Sequence, residues 1–166
     1  MLKSWLDSQS SRKNTRLHLS RGNIRMSQGP EANFWNTIRK NLPQNCYAWR
    51  IENRVTAGMP DVYIIWEGLP VWLELKVIKA KAVKVSPQQV AWHTAHSHAG
   101  GLSFFLVKHL GPRTLFLFEG HRAREISSEG LGSGADFECS GFGDLFGAIK
   151  DRVSGHYRGK FGNSGI

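Results

Sequence analysis

The sequence predicts an α/β fold, a mixed β-sheet flanked by helices. A helical pattern near Glu31 comes first, three β-rich runs follow between Tyr47 and Val77, and a second helix opened by Ser86-Pro87 leads into another apolar strand. The resulting order is α-β-β-β-α-β with a further strand and helix behind it. A mixed sheet with helices on its faces is the natural packing for such an order.

The first helix runs from Glu31 to about Leu42, after Gly29-Pro30, because proline suits a first helical position. Phe34, Ile38 and Leu42 recur at four-residue steps with Trp35 beside them, and Glu31 falls on the same stripe. Tyr47 to Arg54 reads as a strand that Gly58-Met59-Pro60 breaks. Asp61–Trp66 and Val71–Val77 read as an antiparallel hairpin joined by Glu67-Gly68-Leu69-Pro70. The second helix extends from Ser86-Pro87 to Gly100-Gly101, with Ser86 as its cap. Leu102–Lys108 and Thr114–Phe118 are apolar strands, and Phe142, Leu145, Phe146, Ile149 and Val153 form a final helical stripe.

The 166 residues fit a single domain, and 40% hydrophobic against 21% charged residues exclude a wholly disordered chain. No apolar run approaches the ~20 residues of a membrane helix. Met1–Asp7 lacks the apolar core of a signal peptide, and two cysteines, Cys46 and Cys139, exclude a disulfide framework, so a reducing cytoplasm is expected. With 22 Lys+Arg against 13 Asp+Glu the net charge is +9, which points to a polyanionic partner, most simply nucleic acid. The excess is uneven. Residues 1–29 carry Lys3, Arg12, Lys13, Arg16, Arg21 and Arg25 against Asp7 alone, whereas 119–149 are acidic. The expected division is a basic flexible arm over 1–29, a core over 30–118, a Gly/Ser-rich linker over 119–141, and a C-terminal helix and tail over 142–166.

Strand alternation puts Glu74 and Lys76 on one face. If residues 67–70 form a four-residue loop, Trp66 opposes Val71, Asp61 opposes Lys76, and Glu74 lies a diagonal step from Asp61. Two carboxylates and a lysine then converge on a hairpin otherwise built of apolar and aromatic residues. Paired carboxylates with a backbone oxygen and water make a hard oxygen site suited to Mg²⁺, and a lysine beside it can orient an attacking water at a phosphodiester.

Pro60-Asp61, twelve residues, then Glu74-Leu75-Lys76 resembles the PD-(D/E)xK nuclease signature. Together with Gly58-Met59, Ser86-x-x-Gln89-x-x-Trp92 and Gly100-Gly101, the series resembles the VRR-NUC and archaeal Holliday-junction-resolvase branch over Glu31–Lys108. The resemblance implies a restriction-endonuclease-like αβββαβ core. It also implies a Mg²⁺-dependent DNA endonuclease, Mn²⁺ being accepted, that cuts branched DNA as a homodimer in a bacterial, archaeal or phage-infected cytoplasm. Asp61, Glu74 and the Leu75 carbonyl would ligate the metal, and Lys76 would position the water. Glu31 would bind a second ion or a metal-bound water, and Gln89 would reach back to the site. Lys79, Lys81, Lys84 and Arg54 are expected on phosphates. A nicking or flap nuclease with the same chemistry is the rival reading, and a non-catalytic DNA-binding protein is the other.

Two further groups weigh less. His93, His96 and His98 crowd the second helix, but no cysteine or carboxylate lies near them in sequence, so an exposed or DNA-facing helix edge is expected rather than zinc. Trp35 and Trp92 are read as core, with base stacking as the rival.

Overall fold

The computed structural model describes residues 29–51, 56–112 and 114–161; the remainder of the basic arm and Arg54 lie outside them. The elements are α1 (Pro30–Lys40), β1 (Cys46–Arg50), β2 (Val62–Trp66), β3 (Leu69–Ile78), α2 (Pro87–His98), β4 (Ser103–His109), β5 (Leu115–Glu119), α3 (Ala123–Glu129), β6 (Phe137–Cys139) and α4 (Phe142–Phe161). The six strands lie in one sheet in chain order, antiparallel except for the β3–β4 pair, which is parallel across the α2 crossover. This mixed sheet and its αβββαβ order match the restriction-endonuclease-like fold expected from the sequence.

Alternation sorts the sheet into two faces. Val62, Ile64, Val71, Leu73, Leu75, Phe104 and Leu106 point to one face, where Phe34, Trp35 and Ile38 of α1 meet Leu145, Phe146, Ile149 and Val153 of α4. Trp35 is therefore a core residue. The other face carries Ile78, Phe105, Val107 and Phe118 beneath α2 and α3. β4 is buried on both sides, as a central strand paired in parallel must be.

The hairpin turn differs from expectation. Trp66 faces Leu69, not Val71, so Glu67-Gly68 is a two-residue turn with φ of 50° and 82°. Positive φ at both central positions is the backbone of a type I′ turn, whose twist matches paired strands and which favours glycine. The register moves by two residues, an even number, so each side chain keeps its face. Asp61 and Glu74 still share one.

The stretch expected as a linker, 119–141, is folded. It holds α3, with Ala123 and Ile126 buried, and then β6, which pairs with β5. Arg122 holds this region together with hydrogen bonds to the Gly134 carbonyl (2.8 Å), the Ser133 carbonyl (2.8 Å) and the Asp136 carboxylate (3.1 Å). The Gly/Ser composition concealed two apolar residues three apart, enough for one short amphipathic helix. The C-terminal helix likewise completes the core, and its Tyr157 hydroxyl donates to the Pro70 carbonyl at 2.9 Å.

Candidate active site

The strand pairing between β1 and β2 continues one step beyond their ends, where the Ile51 amide donates to the Asp61 carbonyl at 2.7 Å. This fixes the Asp61 backbone. Its carboxylate is fixed from the other side, because Oδ2 accepts the Leu75 amide at 2.9 Å. Asp61 is thereby held against the Glu74-Leu75-Lys76 segment of β3.

The preceding turn is docked as tightly. Gly58 has φ of +85°, and a Cβ there would lie 2.2 Å from the Gln88 carbonyl oxygen and 2.8 Å from the Gln89 amide nitrogen. Only glycine allows this turn to press against the first turn of α2. The close approach brings the segment carrying Asp61 to the residue that α2 contributes.

That residue is Gln89. Ser86 caps α2 by accepting the Gln89 amide, while Gln89 Oε1 accepts the Ser86 amide at 3.0 Å, a complete capping box. The same Oε1 accepts Lys76 Nζ at 3.1 Å, and Gln89 Nε2 donates to Glu74 Oε1. Both partners of Oε1 are donors, so the network fixes the orientation of the amide. Lys76 Nζ also pairs with Glu74 Oε1 at 2.9 Å. Gln89 thus ties a helix cap to the lysine–glutamate pair.

Glu74 is 2% exposed. Burial, and then the neighbouring Asp61 charge, push its carboxyl up to about 7, while Lys76 and Gln89 hold it down. Burial also raises Asp61, against the Leu75 amide, Lys76 and Arg50, while Glu31 adds a smaller push upward. Glu31, half-buried in the first turn of α1, therefore acts on Asp61 through its charge. Among the described residues no group of three or more His, Cys, Asp or Glu side chains is placed to hold a metal ion, so Glu31 does not complete a three-carboxylate cage.

Does the donor set suit a hard divalent cation? Among the described residues, Glu74 Oε2 is buried without a hydrogen-bond partner. An ionised carboxylate oxygen in that position is costly unless a cation faces it. Two carboxylates and a main-chain carbonyl are also the sparse oxygen set with which Mg²⁺ is held when water and phosphate supply the rest. The residues fit such an ion.

Lys79, Lys81 and Lys84 are exposed on the loop leaving β3, and that loop is pinned where the Leu131 amide donates to the Lys81 carbonyl at 2.8 Å. The folded 119–141 segment is what orders it. The histidines correct the sequence reading in part. His93 is fully buried, its Nδ1 lies 2.8 Å from Ser103 Oγ, and its ring packs on Phe105; burial pushes its pKa down to about 3. It is a core residue, not a DNA-facing edge. His96 stacks on Trp92 at 4.6 Å, while Trp92 meets Trp72 edge-on. No zinc cluster forms among the described residues.

Sequence reasoning missed Arg50. It faces Val62 in the register, its charge acts on Asp61, and its Nε is buried without a partner among the described residues. The available signal was a charged residue in phase with Ala48 on the inward side of an apolar strand.

No protein-family model matches the chain, and no curated protein matches it in sequence. Among solved structures the chain is similar to Archaeoglobus fulgidus Hjc, a Holliday junction resolvase from an archaeal hyperthermophile, at 16% identity and a TM-score of 0.42. The match covers 54% of this chain and 74% of that one. No helix among the described residues is long and apolar enough to cross a membrane.

Proposed function

We propose that the chain is a metal-dependent DNA endonuclease hydrolysing phosphodiester bonds, selective for branched DNA. The observation that carries the reading is the constellation itself. Asp61 and Glu74 lie side by side, Glu74 Oε2 is buried and unpaired, and Lys76 is held at hydrogen-bond distance by Glu74 and Gln89. An ordinary surface ion pair needs neither the burial nor the bracing.

Asp61, Glu74 and the Leu75 carbonyl would hold Mg²⁺, with Mn²⁺ as a substitute. The ion supplies Lewis-acid polarisation of the phosphodiester and lowers the pKa of water. The chain does the rest. The Lys76 ammonium orients the attacking water and offsets charge gathering on the phosphate. Gln89 fixes the direction of Lys76, and Arg50 offsets the negative charge around Asp61. Lys79, Lys81 and Lys84 grip phosphates beside the cut. The preference for branched DNA follows from the motif resemblance, and symmetric cutting of a four-way junction requires a homodimer.

The test offers labelled four-way junction, flap, nicked duplex and linear duplex to wild type and Lys76→Ala with Mg²⁺, Mn²⁺ or EDTA. Paired symmetric cuts in the junction that need both metal and Lys76 are expected. Metal-dependent cutting of the other forms alone would retain the chemistry and discard the resolvase assignment. Binding without cleavage under every metal would overturn the enzyme.

A further inference from the structure

Among the described residues, one half of the catalytic sheet face carries no helix. Opposed residues share a face, so the pairs Tyr47↔Ile65, Trp49↔Tyr63 and Tyr63↔Trp72 place all five side chains on the side of Glu74 and Lys76. The α2 helix covers β3 and β4, where Trp92 meets Trp72. Beyond Trp72 and Tyr63, whose rings are 4.8 Å apart, the face opens. Tyr47 is 57% exposed, Trp49 59% and Ile65 37%. Large aromatics on a soluble surface in such a group mark a contact site.

We propose that Trp49 and Tyr47 form a stacking platform for unpaired bases of the DNA strand whose phosphate lies at Asp61 and Glu74, an inference that rests on the nuclease reading. Three arguments favour a nucleobase over a second copy of the chain. Aromatic rings carry about 150–250 Å² each, so the exposed parts of Tyr47 and Trp49 with Ile65 amount to roughly 300 Å², far below the ~800 Å² per partner of a stable interface. The chain carries +9, so a polyanion is drawn to it. The platform is also continuous with the site. Trp49 lies two strands and two residue steps from Glu74, roughly 12 Å by sheet geometry, within reach of bases neighbouring the bound phosphate. A base stacked inside a duplex presents no free ring face, so the platform reads unpaired or frayed nucleotides, the feature that separates a flap, a single-stranded tail or a frayed branch point from intact duplex.

The experiment measures binding in EDTA, so that no strand is cut. Fluorescence anisotropy compares a fully paired duplex with the same duplex bearing unpaired tails, for full-length wild type, Trp49→Ala, Tyr47→Ala and Trp49→Phe. Trp49→Ala is expected to weaken tailed DNA by about 5- to 100-fold, with duplex affinity unchanged and Trp49→Phe retaining most of the binding. In wild type, 5-iododeoxyuridine in the tail is expected to photocrosslink to the Tyr47–Trp49 segment, a readout independent of how the variants fold. An equal loss on both DNAs, no loss at all, or crosslinking elsewhere would overturn the platform. A dimer that dissociates in Trp49→Ala during sedimentation would overturn it in favour of a contact between copies. Junction cutting that persists after the platform fails would leave the nuclease reading standing, and selective stacking without cutting would do the reverse.

Discussion

Glu74 and His93 are buried titratable groups on the same face of the sheet, and they pull stability in opposite directions as pH changes. The folded state raises Glu74 to about 7 from 4.5, so the neutral acid stabilises the metal-free protein fully below pH 4.5, and that contribution is lost as pH rises through 7. Glu74→Gln stays neutral throughout. In EDTA it should therefore melt higher than wild type at pH 8 by a margin equivalent to about 1–3 kcal/mol, and no higher at pH 4; a variant less stable at pH 8 would contradict the cause assigned to the shift. His93 is lowered to about 3 from 6.5, so its contribution is complete above pH 6.5 and drains away as pH falls toward 3. His93→Gln should flatten that acid limb, which urea titrations at pH 4 and pH 7 will show. At this scale the sequence exposed most of the site, because Asp61, Glu74 and Lys76 carry charge where an apolar hairpin has no packing use for it. The strand pattern marks Arg50 as inward-facing, but its effect on Asp61 depends on the pairing of β1 with β2, which that pattern does not reveal.

The second helix, α2, does two jobs through one side chain. Gln89 closes the capping box and also braces Lys76 and Glu74, and two substitutions separate these roles. Ser86→Ala removes the cap alone and should cost about 1 kcal/mol of stability while cleavage survives. Gln89→Ala should cost a similar amount and also slow cleavage by roughly ten- to a hundredfold, because a freed Lys76 points less well at its water. Equal cleavage by the two variants would show that bracing is dispensable. Gly58→Ala should be harsher than either, at about 2–4 kcal/mol in chemical denaturation, since a Cβ meets backbone atoms of α2 and φ is positive. Element boundaries were legible wherever punctuation was explicit, as at Gly29-Pro30 and Ser86-Pro87. The hairpin turn was misjudged because Leu69-Pro70 look like loop residues, yet they pair with Trp66 and Ile65. Even spacing of that error preserved the face, so Asp61 and Glu74 share one although the expected register is two residues off.

Two ends of the chain make contrasting demands on the whole molecule. Leu145, Phe146, Ile149 and Val153 of α4 are buried on the same sheet face as α1, and the ring of Phe146 lies 5.7 Å from Trp66. Composition could not announce this, because a helical stripe near a terminus fits a subunit contact as well as a core. Chains ending at Gly141 would uncover the part of that face beneath α4, and with each of the four large side chains contributing about 1.5–3 kcal/mol on burial, the loss of about 6–12 kcal/mol is the size of the whole 5–15 kcal/mol by which domains are stable. Such a truncation should fail to give a cooperative melt. The N-terminal end is a question of charge. Residues 1–29 carry a net +5 from six basic groups and Asp7, remote in sequence from the lysines at 79, 81 and 84. Each phosphate neutralised adds about 0.9 to the slope of log affinity against log salt. If the arm lies along DNA, removing residues 1–28 should flatten that slope by up to about 4 or 5, and lower affinity most at low salt. An unchanged slope would assign the electrostatic grip to the loop after β3, and Lys81→Ala with Lys84→Ala should then reduce it by about 2.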